Sequence, residues 1–340
     1  MLTAKIKGIS HAYELTDALT ASESVLETDA VVNTDVKTLV FIHGWLLSRA
    51  YWRPLVAQLS SRYRCLTYDL RGFGDSAHVP SDYAPVPRQI PLPPGHNFPG
   101  EYDRSTEMYE ASAFSLAAYA QDLSALLDHL GIEKAWLLGH SLGGSIALWA
   151  AYLLPERIQG VICINAGGGI YIPEEFEKFR SAGQQMVKFR PSWLPQLPIL
   201  PRIFSRVMVK NPLAVDWGKQ RLQDFVRANG QAATGSLLET TTEDDVHLLP
   251  QVMRQIKQPV YFITATEDTV MPPRYVRYLA SFHPQFCESS SVFELADCGH
   301  MAMIEQPGAV GEIVRTVVGY LPSRGCANDS AQPAEMGDGE

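Results

Sequence analysis

The sequence predicts an α/β protein: a mostly parallel, twisted sheet with helices on both faces and a helical segment inserted late in the chain. Two observations carry this expectation. Short runs rich in branched apolar residues alternate with longer amphipathic stretches, the order that arises when each strand is followed by a crossover helix. One such run, residues 134–139, passes through a glycine-flanked serine straight into a helical run, so strand, tight turn and helix adjoin.

The elements follow in order. Strands are expected at 38–43, 64–69, 134–139, 160–165, 259–264 and 291–295, and helices at 50–60, 116–130, 142–154 and 274–282. Pro307 opens a last helix, because a first-turn residue needs no N–H of its own. Two stretches break the alternation. Residues 77–111 carry seven prolines (Pro80, Pro85, Pro87, Pro91, Pro93, Pro94 and Pro99), too many for a helix or a central strand, and read as a surface excursion beside the active site. Residues 167–245 separate two expected strands by far more than an ordinary crossover and read as a cap over the pocket. The core is thus expected in two parts, 1–166 and 246–323, followed by a disordered acidic tail at 324–340.

Composition narrows the function. With 340 residues, 46% hydrophobic and 19% charged, the chain has ample material for a packed core. A formal net charge of −9 argues against nucleic acid as a partner, since phosphate binding needs a concentrated basic surface. The first residues lack the apolar core of a signal peptide and no run is long enough to cross a bilayer, so a cytoplasmic protein is expected. The five cysteines (Cys65, Cys163, Cys287, Cys298 and Cys326) show neither disulfide nor zinc-ligand spacing and are expected as reduced thiols. Cys298 lies two residues before His300 but has no elbow to present it as a nucleophile.

Chemistry concentrates at Gly139-His140-Ser141-Leu142-Gly143. A nucleophile elbow needs small residues two positions either side of the serine so that a strained turn can close. Such a turn lifts the hydroxyl out of the fold, and the helix behind it brings free backbone amides to the site.

Four further motifs make the chain resemble the α/β hydrolase superfamily over roughly residues 38–321. Phe41-Ile42-His43-Gly44-Trp45 resembles the loop after the third strand, which implies that the backbone amides of Trp45 and Leu142 form an oxyanion hole. Asp69-Leu70-Arg71-Gly72-Phe73-Gly74-Asp75-Ser76 resembles a scaffold loop, and Asp69 is accordingly read as structural. The stretch from Thr266 to Pro273 resembles the acid loop. The family pattern puts the acid at Asp268, four residues before Pro272, with Glu267 as its competitor. Gly299-His300, followed by Glu305-Gln306-Pro307, resembles the histidine loop and implies His300 as base. The chain order Ser141, Asp268, His300 is that of this fold. The remaining histidines have bland readings: His43 and His140 shape loops, His129 and His283 sit near helix ends, and His11, His78, His96 and His247 lie in polar surroundings.

The resemblance implies an α/β hydrolase fold and a serine hydrolase that cleaves carboxylic esters through an acyl-enzyme, without metal or organic cofactor. His140, Trp193 and Phe204 are the expected pocket residues. Within 188–227 eight basic residues face two acids, interleaved with Phe189, Trp193, Ile199, Ile203 and Trp217. That composition suits a lid with an apolar underside and a small-molecule apolar ester as substrate; it also suits peripheral contact with an anionic membrane. The competing functions are another reaction on the same scaffold (carbon to carbon bond hydrolysis, cofactor-free haloperoxidation or a menaquinone-pathway elimination) and a hydrolase-like ligand receptor.

Overall fold

Two strands precede every strand expected from the pattern. In the computed structural model, which describes residues 1–18, 36–80, 88–97, 102–168 and 173–319, Leu2–Ile6 (β1) pairs antiparallel with Ile9–Thr16 (β2). Lys7 and Gly8 turn the chain with φ of 48° and 87°, the twist a two-residue hairpin needs. His11, expected in polar surroundings, is instead buried on β2, because alternate residues of this strand face the core.

The central strands are Thr38–Ile42 (β3), Arg64–Tyr68 (β4), Ala135–His140 (β7), Ile158–Ile164 (β8), Val260–Ala265 (β9) and Val292–Leu295 (β10). Arg88–Pro91 (β5) and Met108–Ala111 (β6) form a separate antiparallel pair. The main sheet runs β1-β2-β4-β3-β7-β8-β9-β10 and is parallel from β4 to β10, with β2 antiparallel to β4. β3 and β7 are buried along their whole length, which is why they read as unbroken apolar runs.

Both faces are covered. Leu39 and Phe41 pack with Arg53–Leu59 (α1) and, near the C-terminal end, Pro307–Gly319, while Val40 and Ile42 belong to the core beneath Leu116–His129 (α2) and Leu142–Leu153 (α3). The helix expected over 50–60 starts as a 3-10 turn at Arg49–Trp52 and becomes α-helical only at Arg53, since Pro54 has no N–H for an α-helical bond back to residue 50. Ser115 caps α2 by accepting from the Ala118 amide at 3.2 Å.

Between β8 and β9 the chain builds Pro173–Lys188 (α4), Leu200–Phe204 (α5), Val215–Arg227 (α6), Gly230–Glu239 (α7) and Glu243–Gln255 (α8). Residue 245, the expected end of the insertion, falls inside α8, which packs on α3. Pro273–Ala280 (α9), Glu288–Ser291 (α10), Ala302–Glu305 (α11) and Pro307–Gly319 (α12) complete the fold.

The proline-rich stretch is not wholly a surface excursion: Ile90, Leu92 and Tyr109 are buried in the core, because β5 and β6 pair and turn one side inward. Pro85, Pro87, Pro99, Cys326 and the expected tail lie outside the described residues. Cys65, Cys163, Cys287 and Cys298 are free thiols. Among the described residues no helix is long and apolar enough to cross a membrane, and no cluster of ligating side chains is suited to a metal ion.

Candidate active site

Strand order locates the site. From β3 the chain steps to β4 on one side and later returns to β7 on the other, so a crevice opens where the carboxyl ends of β3 and β7 diverge. The two loops leaving those ends carry His43-Gly44-Trp45 and Ser141.

Ser141 sits at φ 51° and ψ −122°, a strained backbone that only close packing can hold. The neighbouring glycines explain how it closes. A β-carbon on Gly139 would meet the Gly143 carbonyl oxygen at 2.2 Å, and one on Gly143 would meet the Ile42 carbonyl oxygen at 2.2 Å. Strand β7, the first turn of α3 and the end of β3 therefore touch backbone to backbone. Leu142 begins α3, so its amide has no carbonyl one turn behind it. The Gly44 carbonyl accepts from Leu47 at 3.3 Å, which makes Trp45 the second residue of a turn that does not engage its amide. Gly44 lies so close to the elbow that a β-carbon there would stand 3.2 Å from the Ser141 Cβ. The loop that carries Trp45 thus lies beside the elbow, and Leu142 follows the serine directly.

Asp268 and His300 meet from separate loops. The His300 Nδ1–H faces both oxygens of Asp268, at 3.0 and 2.8 Å, with both side chains buried. Since an ionised carboxylate only accepts, this contact puts the proton on Nδ1 and leaves the Nε2 lone pair free as a base. Asp268 Oδ1 also accepts from the amides of Val270 and Met271, each at 2.9 Å, and Oδ2 from the Asn165 side chain at 2.8 Å. Burial opposes ionisation of Asp268, but the neighbouring imidazole and these hydrogen bonds outweigh it and hold its pKa below the ordinary value. Glu267, the competing acid, points elsewhere and pairs with Lys210 at 3.5 Å.

The other titratable groups have structural work. His140 Nε2–H donates to the His300 carbonyl at 2.8 Å, and its ring centre lies 4.8 Å from that of His300. Burial above all pushes its pKa down to about 3, so it stays neutral. His43 Nε2 accepts from the Leu70 amide at 2.9 Å while Nδ1–H donates to the Gly44 carbonyl at 2.8 Å, tying the loops after β3 and β4 together. Asp69 accepts from the amides of Arg49 at 2.6 Å and Asp75 at 2.8 Å and from the Arg49 guanidinium, a scaffold role. Burial pushes the Cys298 thiol up to about 12, which removes it as a nucleophile.

Beside Ser141 opens a cavity walled by Trp45, Leu142, Phe179, Leu237, Val270 and Met271, with Ser145, Ser236, Thr240 and Thr241 as its polar edge. Among the described residues no charged side chain lines it. The three expected pocket residues lie elsewhere. His140 is buried behind the serine against the His300 carbonyl; Trp193 is 52% exposed on the outer side of the insertion; Phe204 turns its ring onto Phe225, 5.9 Å away, because α5 packs on α6. None of the described residues of 77–111 lines the cavity either; α4 and α7 of the insertion take that place.

Sequence reasoning missed two contributors, Asn165 and Met208, and named Glu305 only as part of the histidine-loop motif, without its role. Asn165, at φ 49° just past β8, carries the only signal of a polar residue ending an apolar strand. Glu305 gathers the amides of Gly299 and Met301, each at 3.1 Å, and of Lys210 at 2.8 Å, which fixes the curvature of the histidine loop. Met208, in the insertion, gives its carbonyl to the His300 amide at 2.9 Å, and nothing in its local sequence marks it.

A family model described as alpha/beta hydrolase fold matches residues 37–307. An uncharacterised protein of Mycobacterium tuberculosis is 25% identical over 306 residues, 87% of this chain and 76% of that one. A pimeloyl-[acyl-carrier protein] methyl ester esterase of Aliivibrio salmonicida is 32% identical over 262 residues, 76% of this chain and 84% of the relative. The solved enol-lactonase of Burkholderia xenovorans superposes with a TM-score of 0.63 at 21% identity, covering 94% of this chain and all (100%) of that one.

Proposed function

The chain belongs to the alpha/beta hydrolase fold family, and from that premise we propose that it is a serine hydrolase cleaving a neutral carboxylic ester with an apolar group through an acyl-enzyme. One observation carries the reading: His300, oriented by the doubly accepting Asp268, shares the edge of the sheet with a serine held in a strained elbow.

In the proposed reaction the Ser141 hydroxyl adds to the ester carbonyl as His300 Nε2 takes its proton. The negative charge that forms on the carbonyl oxygen is met by the amides of Trp45 and Leu142. Asp268 steadies the imidazolium without taking its proton. When the tetrahedral adduct collapses, the C–O bond to the alcohol breaks and the leaving oxygen receives the proton from His300. Water then gives a proton to the same nitrogen, adds to the acyl carbonyl, and releases the acid and the free serine.

The cavity supports the choice of substrate. An apolar wall favours an apolar group, and the lack of a cation among the described lining residues disfavours substrates that bring a carboxylate with them, which would lose hydration there. The insertion acts as the cap in this reading, since α4 and α7 supply Phe179 and Leu237 to the wall. The Aliivibrio relative's methyl ester esterase name accords with ester cleavage.

A fluorophosphonate probe and a panel of p-nitrophenyl esters test the proposal. Wild-type protein is expected to take the label and to turn over esters, Ser141→Ala to do neither, and Asp268→Asn to lose about 10³ to 10⁴ in kcat through the wrong histidine tautomer. Equal labelling of Ser141→Ala removes the serine from the mechanism. Labelling without turnover of any ester replaces the ester reading with another reaction on this scaffold.

A further inference from the structure

Residues 186–215 carry five basic side chains and no acid, in a chain whose formal charge is −9. Nine of the twelve large apolar side chains that stand exposed among the described residues fall in this same stretch, so the exposure is concentrated rather than scattered. Phe189 is 67% and Ile199 62% exposed.

Local geometry explains why these groups face out. Pro201 is buried and Phe204 rests on Phe225, so this side of α5 is fixed against α6. Gly218 of α6 admits the approach, since a β-carbon there would stand 1.7 Å from the Pro201 carbonyl oxygen. Ile199, Arg202, Ile203 and Arg206 follow the i, i+3, i+4, i+7 spacing of one helical face, and all four are exposed. Apolar and cationic groups therefore alternate across one outward surface. Lys188 lies beside Phe189, with its Nζ 5.6 Å from the ring centre.

We propose that this stretch docks on an anionic lipid surface, with Phe189, Ile199 and Ile203 entering the boundary between headgroups and acyl chains and Lys188, Arg202 and Arg206 against the lipid phosphates. Three points single out this occupant. A bilayer surface rewards apolar and basic groups interleaved on one face. A second copy of the chain on this face would set the exposed cations Lys188, Arg202 and Arg206 against their own counterparts in a two-fold contact. The stretch also continues from the substrate cavity: α4 carries Phe179 in the cavity wall and reaches the exposed end about 15 Å further along its axis. Docking thus brings the cavity close to apolar esters dissolved in the bilayer. Surface binding itself does not depend on the serine chemistry.

Co-sedimentation of the full chain with vesicles tests it, using phosphatidylglycerol mixed with phosphatidylcholine against phosphatidylcholine alone, at low and high salt. Wild type and Ser141→Ala are expected to bind the anionic vesicles alike at low salt and to leave them at high salt, so loss of hydrolysis and loss of docking are read separately. Reversing Lys188, Arg202 and Arg206 to Glu should weaken binding on the order of a hundredfold. Phe189→Ser with Ile199→Ser should weaken it at low salt as well, both variants keeping the wild-type melting temperature. The proposal is overturned by no binding to anionic vesicles at low salt, or by equal binding to neutral ones. It is overturned too if soluble polyglutamate competes as well as vesicles do, which assigns the face to an acidic protein, or if the serine pair merely turns a dimer into a monomer.

Discussion

The amide of His300 donates to the carbonyl of Met208 at 2.9 Å, so the insertion reaches into the loop that carries the imidazole. Met208 adopts φ 59°, and its segment is held from behind by the buried Arg221, whose guanidinium donates to the carbonyls of Phe204 at 2.9 Å and Val207. A β-carbon on Gly299 would stand 2.7 Å from the Lys210 nitrogen, which shows how tightly the two segments are pressed together. The insertion is therefore part of what fixes the base, as well as the wall of the cavity.

Arg221→Leu should release that segment. Two carbonyls lose a charged donor, and the expected destabilisation is about 2–4 kcal/mol by urea unfolding. Ester turnover should show kcat falling about tenfold with KM little changed, because the base rather than the cavity loses its support. Arg221→Lys should not restore either, since one ammonium lacks the planar fork that spans both carbonyls. An unchanged kcat in the Leu variant would disprove the link.

Asn165 presents its amide nitrogen to Asp268 Oδ2 at 2.8 Å. The carboxylate dictates that orientation, because the opposite one would set two acceptors face to face. Asn165→Ala should cost about tenfold in kcat, through a less constrained acid and imidazole. It should also alter stability against pH. Asp268 has a lowered folded pKa, so its contribution is present above the unfolded value and is lost as pH falls through the folded one. Removing the Asn165 donor raises the folded pKa and moves that loss to higher pH. A low-pH unfolding limb that coincides with wild type would refute this account.

Asp224 behaves in the opposite sense. Burial pushes its carboxyl up to about 6 against an ordinary 3.8, although Ser48 and Gln220 donate to it at 2.8 and 3.0 Å. Between those two values the folded chain holds a proton that the unfolded chain has released, so stability falls as pH rises through the window. The fall is on the order of 3 kcal/mol. Asp224→Asn keeps an oxygen for the Ser48 hydroxyl and removes the titration. Its gain over wild type should be near zero at pH 4 and reach a plateau above pH 6. Urea unfolding at both values checks this, and a gain that is the same at each would refute it.

Legibility in the sequence followed locality. The elbow could be read because strand, serine and helix adjoin within one continuous stretch, and because steric closure demands glycine at 139 and 143. Asp268, His300 and Glu305 were marked by loop motifs that depend on their own neighbours in the chain. The antiparallel hairpin β1–β2 went unread, although Lys7-Gly8 between two alternating runs was its signal. The pocket lining is hidden from the sequence for a different reason. An aromatic ring suits Trp193 and Phe204 to a pocket, whereas the exposure of one and the packing of the half-buried other against Phe225 depend on how α5 meets α6.

By itself the sequence determined the six parallel strands of the sheet, the elbow and the three side chains proposed for catalysis, since each follows from residues close together in the chain. Tertiary structure alone decided that Phe179 and Leu237 wall the cavity, that Asn165 steadies the acid, and that Met208 holds the histidine loop. These contacts join segments tens of residues apart, and the last of them runs through backbone groups that every residue possesses. Short-range pattern therefore carries no trace of them.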